Sequence, residues 1–412
     1  MKFKPQLLLF LFSLIAMPFV SGQTSEKYSG EYANFYRAEE LFEKEQYNSA
    51  RKVFAEFLAE FKDENDPQYI KARYYEGLSA LHFYNNDAIK LLQEFNNDYP
   101  ENIYKNTIYF KIGQYFYQRK KYNDAREWLD KTDKTEIDTS YIAEYYFKLG
   151  YSNFQLGEYS EARNSFHEIK DVKSAYAAPA LYYYSHIAYQ NKTYQVALEG
   201  FLELMDDPTF RNEVPYYITQ IYYLLGDYEK VTEFAPIAED PDSKETSAEM
   251  NLLIGDAYYK IKKYDEAVPY LEDYDKRKKT TREQDYALGF AYYKSKQCDK
   301  AIKMFDRVSR TEDELAQAAL YHAAECYLKN DELNYARAAF KGASDLKYDA
   351  EIQEDALYNY AVLSYELDYN PYDEAILTFE YFLNEFPNSK RTEDVYGYLV
   401  NVYSSTKRYK SA

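Results

Sequence analysis

One small residue, followed four positions later by a large apolar residue, recurs along most of this chain. The ten occurrences are Ala50/Phe54, Ala88/Leu92, Ala125/Leu129, Ala162/Phe166, Ala197/Phe201, Val231/Ala235, Ala267/Leu271, Ala301/Phe305, Ala336/Phe340 and Ala375/Phe379. Successive occurrences are 34 to 39 residues apart, and Ala412 stands where the next small residue is expected. A period of this length indicates a repeat protein, in which each copy buries its apolar face only by stacking on its neighbours.

Other residue types keep the same phase as this motif. A glycine lies twelve positions before the small residue at Gly113, Gly150, Gly255 and Gly289, and a tyrosine commonly lies three positions before it. A glycine on one helix and an alanine on the next would allow two antiparallel helices to approach closely, and the large residue would fill the remaining gap. The sequence therefore predicts an all-α solenoid of about ten antiparallel helix pairs.

The order Leu-Gly-x-x-Tyr, then Ala-x-x-x-Phe, then Pro resembles the tetratricopeptide repeat (TPR) over roughly residues 31–412. This resemblance implies a right-handed superhelix, in which the first helix of each pair lines a concave groove, and it brings no catalytic residues. The segments Tyr381–Ser389 and Gln93–Pro100 are similar to repeats of periplasmic and outer-membrane-assembly TPR scaffolds of double-membraned bacteria.

Residues 1–22 have the pattern of a secretory signal peptide. Lys2 and Lys4 precede an apolar stretch that is too short to span a membrane, and Val20-Ser21-Gly22 supplies small residues for cleavage. The alternative is an uncleaved anchor. We expect an exported protein that begins at Gln23 and lies in the periplasm, rather than one that is secreted or associated with the outer membrane.

The repeat pattern weakens in the middle of the chain and stops at its end. Repeat six has Val231 and Ala235 in place of Ala and Phe, and Pro236 and Pro269 fall inside predicted second helices, where proline is expected to kink the helix. We therefore predict a TPR array over residues 23–235, a kinked joint over 236–248, and a second array over 249–412 that ends in a partial repeat.

Charge and motif content exclude several classes of function. The net charge of −19 opposes binding to nucleic acid, and the basic run Lys276–Lys279 is interpreted as a solvated turn. No two of the four histidines are spaced as in a metal-binding motif on one helix. The sequence also has no phosphate-binding loop or nucleophile elbow. We therefore predict a protein that is not an enzyme, with no catalytic, cofactor-binding or metal-binding residues and no stable membrane insertion.

The two cysteines, Cys298 and Cys326, are predicted to face each other on neighbouring antiparallel helices. Two interpretations remain open: a disulfide in an oxidising compartment, or two small buried residues with free thiols.

Two aromatic rows are the most specific feature of the predicted surface. One row lies four residues beyond the glycine position of first helices, and the other lies seven residues earlier, on the same helical face. The rings would either line the groove or pack between repeats. The predicted partner-binding residues are Phe110, Tyr117, Phe147, Phe154, Tyr182, Tyr189, Tyr216, Tyr223, Tyr259, Tyr293 and Tyr365.

These features favour a non-catalytic periplasmic scaffold whose groove binds a peptide or helix of an envelope protein. The alternative is a glycan-binding module that stacks cell-wall or polysaccharide sugars on its tyrosines.

Overall fold

A computed structural model describes residues 30–238, 244–367 and 373–405. Within these ranges the regular structure consists of helices, with 21 α-helices, one short 3₁₀ turn at Thr139–Tyr141 and no β-strand. The predicted signal peptide, residues 1–22, and Ala412 lie outside the described residues.

The helices follow one another through short connections. They are α1 (Ala33–Glu43), α2 (Tyr47–Glu60), α3 (Pro67–His82), α4 (Ala88–Asp98), α5 (Lys105–Gln118), α6 (Tyr122–Asp130), α7 (Ile142–Gln155), α8 (Tyr159–His167), α9 (Ala177–Gln190), α10 (Tyr194–Glu203), α11 (Val214–Leu225), α12 (Tyr228–Ala238), α13 (Lys244–Lys260), α14 (Tyr264–Arg277), α15 (Arg282–Lys294), α16 (Cys298–Val308), α17 (Glu314–Lys329), α18 (Leu333–Asp345), α19 (Ala350–Leu367), α20 (Asp373–Glu385) and α21 (Thr392–Ser405).

These helices form ten pairs, α1/α2 to α19/α20, followed by the single helix α21. The predicted all-α solenoid of about ten helix pairs is thus confirmed. The chain divides into two compact units between Ala180 and Leu181, within α9. Helices α1–α8 belong to the first unit and α10–α21 to the second.

Close packing within the helix pairs explains the motif. A Cβ atom added to Gly113 on α5 would lie 2.7 Å from the Leu129 side chain on α6, and one added to Gly289 on α15 would lie 2.9 Å from Phe305 on α16. In the pair α9/α10 the glycine is on the second helix instead, where Gly200 abuts Ser185. Small residues therefore set the distance between paired helices, as the sequence predicted.

The turns inside the helix pairs share one backbone conformation. In nine of them a single residue has a positive φ, and this residue is glycine only at Gly157 and Gly226. In the α13–α14 turn, the Lys262 N–H donates to the Tyr259 carbonyl and the Lys263 N–H to the Tyr258 carbonyl, at 3.0 and 2.9 Å. This is the Schellman arrangement, which satisfies the last carbonyls of one helix before the next begins.

The predicted kinked joint over 236–248 lies mostly outside the residues whose side chains are described. Helix α12 ends at Ala238 and α13 begins at Lys244, with the intervening residues outside the described ranges. Further along, α14 continues without interruption through Pro269. The division into arrays on either side of 236–248 stays a prediction.

The repeat alanines offer a direct test of the packing. Ala162 on α8 is fully buried, so Ala162→Leu must force extra methyl groups between packed helices. We expect a loss of roughly 1–3 kcal/mol in the free energy of unfolding. Chemical denaturation of the variant beside wild type measures this loss.

The matched control is Ala55→Leu, which enlarges an exposed alanine on α2 of the same unit. If the denaturation midpoint of Ala162→Leu equals that of the control, this alanine does not set the helix separation.

Candidate protein-binding surface

The predicted aromatic residues lie on the first helices of their pairs. We call the residues four positions beyond the glycine position the ladder. The ladder residues are Tyr117, Phe154, Tyr189, Tyr223, Tyr259, Tyr293 and Tyr365. All seven rings are half-buried. Each therefore keeps part of its surface accessible while the rest packs against the protein.

Two residues of the second aromatic row are more deeply buried than the ladder residues. Phe110 is 1% exposed and Tyr182 is 7% exposed, whereas Phe147 and Tyr216 are half-buried. Phe110 packs in the core of the first unit with Leu129. The structure therefore places Phe110 and Tyr182 in the interior, where their rings present almost no surface to a partner.

Hydrogen bonds join several ladder residues to the first helix of the next repeat. The Tyr223 hydroxyl on α11 donates to the Asp256 carboxylate on α13 at 2.5 Å. The Tyr189 hydroxyl on α9 donates in the same way to the Gln220 side chain on α11 at 2.8 Å. These bonds fix the orientation of each ring.

Ring contacts add a second set of constraints. The Tyr259 ring lies 5.7 Å from the Tyr264 ring, at the start of the second helix of its own repeat, and 6.0 Å from the Phe290 ring on the next first helix. Tyr117 contacts Tyr122 and Tyr151 in the same two ways. The two interpretations that the sequence left open therefore combine, because one part of each ring packs between repeats and another part remains accessible.

Sequence reasoning missed the polar partners of these tyrosines. Besides Tyr223 and Asp256, the Tyr182 hydroxyl donates to Glu213 at 2.8 Å, and the Tyr321 hydroxyl donates to Asp355 at 2.7 Å. In each case the acidic residue follows the tyrosine by 31 to 34 residues, which is about one repeat. A search of the sequence for tyrosine and acidic residues separated by one repeat would have found these hydrogen-bonded pairs.

The environment of these tyrosines holds them in the neutral form. Burial, followed by the hydrogen bond to Asp256, raises the pKa of Tyr223. Burial raises the pKa of Tyr259 to about 12, and it raises the pKa of Tyr145 in the first unit to about 12 as well. A neutral phenol can donate a hydrogen bond to a carboxylate, whereas a phenolate beside the same carboxylate would be repelled.

Within the described ranges, no group of three or more His, Cys, Asp or Glu side chains is arranged to hold a metal ion. None of the helices in these ranges combines the length and apolarity that a membrane-spanning helix requires. His322 is half-buried, and its Nδ1 atom lies 2.9 Å from a Glu325 carboxylate oxygen.

The two cysteines are adjacent in the second unit, as their repeat phase predicts. Cys298 on α16 and Cys326 on α17 are both buried, in one apolar cluster, with free thiols. Burial, together with a hydrogen bond to Cys298, raises the pKa of the Cys326 thiol. A thiol of this kind is a poor nucleophile near neutral pH.

Family comparisons agree with this geometry. Models described as tetratricopeptide repeat match residues 144–172, 248–281, 286–350 and 355–389. No curated protein sequence matches the chain significantly. The stacked helix pairs define an α-solenoid repeat protein. With these matches, the chain is a tetratricopeptide-repeat protein over the matched residues, and its repeats support a role as a protein-interaction scaffold.

Several solved TPR structures are similar to parts of the chain. One is YrrB, described as a TPR protein with an unusual peptide-binding site, with 17% identity over 47% of this chain and 98% of that chain and a TM-score of 0.39. Another is the C-terminal part of a TPR protein from Cytophaga hutchinsonii, with 16% identity, coverage of 65% and 98%, and a TM-score of 0.36. A TPR protein from Parabacteroides merdae has 15% identity, coverage of 62% and 98%, and a TM-score of 0.35.

The raised tyrosine pKa values predict sensitivity to alkali. Because the folded pKa of residues such as Tyr259 exceeds the ordinary value, their contribution to stability is fully present below about pH 10 and is lost as the pH rises toward 12. We expect the melting temperature to fall above about pH 10. Loss of helical circular dichroism should coincide with the rise in phenolate absorbance.

Replacing Tyr259 by Phe removes one of these titrating groups, so the variant should retain its helicity to a higher pH than wild type. Complete ionisation of the tyrosines at their ordinary pKa, with helicity unchanged, would contradict the prediction.

Proposed function

We propose that this protein is a non-catalytic periplasmic scaffold that binds a peptide segment or a helix of an envelope protein on its first helices. The observation that carries this proposal is the ladder, whose half-buried rings recur at one position of the first helices, two in the first unit and five in the second. A row of large rings with one accessible side supplies contact area to a partner at intervals of one repeat.

The rigidity of the rings supports this proposal. Tyr189 and Tyr223 have their hydroxyl groups tied to the next repeat, and the Tyr259 ring is held between Tyr264 and Phe290. Aromatic residues that are already ordered lose little side-chain entropy when a partner binds. Central interface aromatics of this kind commonly account for much of the binding free energy.

Export to the periplasm is part of the same proposal, and it rests on residues 1–22. The short apolar stretch after Lys2 and Lys4, followed by Val20-Ser21-Gly22, motivates cleavage before Gln23. N-terminal sequencing of protein from a periplasmic extract of the native bacterium should begin at Gln23. Recovery of the chain from membranes with Met1 in place would contradict both the cleavage and the location.

The ladder itself can be tested with a triple variant, Tyr223→Leu, Tyr259→Leu and Tyr293→Leu. Leucine refills the buried part of each site but removes the ring edge and the hydroxyl group. We expect the variant to keep its helicity, with a lower melting temperature, and to lose partner capture. Crosslinked pull-downs from envelope extracts, quantified against wild type, measure this loss.

The matched control changes three tyrosines of the second unit that lie outside the ladder and are exposed, Tyr335→Leu, Tyr348→Leu and Tyr381→Leu. This control should capture the same proteins as wild type. A folded ladder variant with undiminished capture would contradict the proposal. Recovery of glycans instead of proteins by wild type would favour the sugar-stacking alternative.

A further inference from the structure

Three lysines line one pocket in the second unit and a fourth, Lys294, lies close by against the Tyr293 ring, in a chain with 69 acidic and 50 basic residues. The pocket has a volume of about 560 Å³ and lies between the α15–α16 turn and the end of α17. Its lining includes Lys296, Lys300 and Lys329, with the side-chain amides of Gln297 and Asn330. We call Lys294, Lys296, Lys300 and Lys329 the lysine cluster.

Three members of the lysine cluster form no close ion pair. Lys300 pairs with Glu272 at 2.7 Å, but Lys294, Lys296 and Lys329 form no ion pair with any described residue. All three are exposed. The neighbouring ammonium groups therefore create a local excess of positive charge.

Two acidic side chains near the lysine cluster already interact with other side chains. Asp299 lines the pocket and accepts a hydrogen bond from the Asn330 side chain at 2.8 Å. Glu325 on α17 contacts His322 at 2.9 Å and also interacts electrostatically with Lys329. An incoming anion would consequently meet cations whose charge is incompletely compensated.

One aromatic ring of the ladder, that of Tyr293, lies beside the lysine cluster. The Lys329 ammonium lies 4.2 Å from the centre of the Tyr293 ring, and the Lys294 ammonium lies 5.0 Å from it. Both cations thus approach one half-buried ring, from α15 and from α17. Such a site offers a ligand apolar contact and positive charge together.

The repeat places a lysine at the same register on three successive first helices. Lys260 lies five residues after Gly255 on α13, Lys294 lies five residues after Gly289 on α15, and Lys329 is the corresponding residue of α17. Neighbouring first helices are in contact, so the lysines should be about 10 Å apart, the spacing of packed helices. A peptide in the extended polyproline II conformation covers the same distance in about three residues, and its side chains at every third position lie on one face.

We propose that the lysine cluster, continued by Lys260, binds the carboxylates of an extended acidic segment of the protein partner, with an acidic residue at every third position. This inference rests on the proposed function and specifies the chemistry of the partner. Lys294 and Lys296, which form no ion pair, favour carboxylates, whereas Lys260 and Lys300 already pair with Asp256 and Glu272 at 3.5 and 2.7 Å. Tyr293 favours an apolar or aromatic side chain beside them. A polyphosphate chain fits less well, because the net charge of −19 repels a densely charged polymer.

Three synthetic peptides of equal length test this proposal with the full-length protein. The first has Glu at every third position with Tyr between them, the second has Gln in place of each Glu, and the third has the Glu residues clustered. We expect the first peptide to bind most tightly by fluorescence anisotropy, and its affinity should fall as salt is added.

The variant Lys294→Gln, Lys296→Gln, Lys329→Gln should weaken binding of the spaced Glu peptide by about tenfold or more, since several charge pairs are lost together. The control variant Lys276→Gln, Lys279→Gln, Lys303→Gln removes three other exposed lysines of the second unit and the same net charge. It should bind the peptide as wild type does.

The outcomes separate this inference from the proposed function. If the Gln peptide binds as well as the Glu peptides, if the clustered peptide binds as well as the spaced one, or if both lysine variants weaken binding equally, the assigned site is wrong. Tighter binding of polyphosphate than of the spaced peptide would also overturn it. If wild type captures an envelope protein but binds none of the peptides, this inference fails while the proposed function stands.

Discussion

The approach of two helices across a glycine is the contact on which the rest of the structure depends. Where Gly113 faces Leu129 and Gly289 faces Phe305, a single added carbon would collide with the opposing side chain. The same large side chain fills the space that the small residue leaves. A pair packed in this way still has apolar faces, and those faces are buried only when further pairs stack on them.

The turn inside each pair preserves this geometry even where the sequence is unfavourable. Lys262 and Lys296 adopt positive φ values that cost free energy for a residue with a side chain. The paired N–H groups of the Schellman arrangement offset part of this cost by satisfying the last carbonyls of the first helix. Packing over the whole pair therefore outweighs the preference of a single turn residue for a negative φ. Glycine is needed where the helices approach closely, and the turns accept other residues.

The ladder tyrosines connect the stacking of repeats with the proposed binding surface, since part of each ring packs between repeats and part stays accessible. Tyr223 holds the next repeat through Asp256 while part of its ring stays accessible. Tyrosine suits this double role, because phenylalanine would lack the hydroxyl group that reaches the neighbouring repeat. Because the phenols are neutral and donate hydrogen bonds, this acidic protein can place carboxylates between neighbouring first helices.

The sequence by itself determined the helix pairs, their number and the burial of residues such as Ala162, because periodic patterns report local helices and nearest-neighbour packing. It also placed the aromatic rows on the first helices. Only the tertiary structure decided that Phe110 and Tyr182 are interior and that Tyr293 lies beside Lys329 from another helix. A heptad spacing fixes the face of a helix that a residue occupies, whereas its depth and its neighbours depend on how the next repeat is seated against that face.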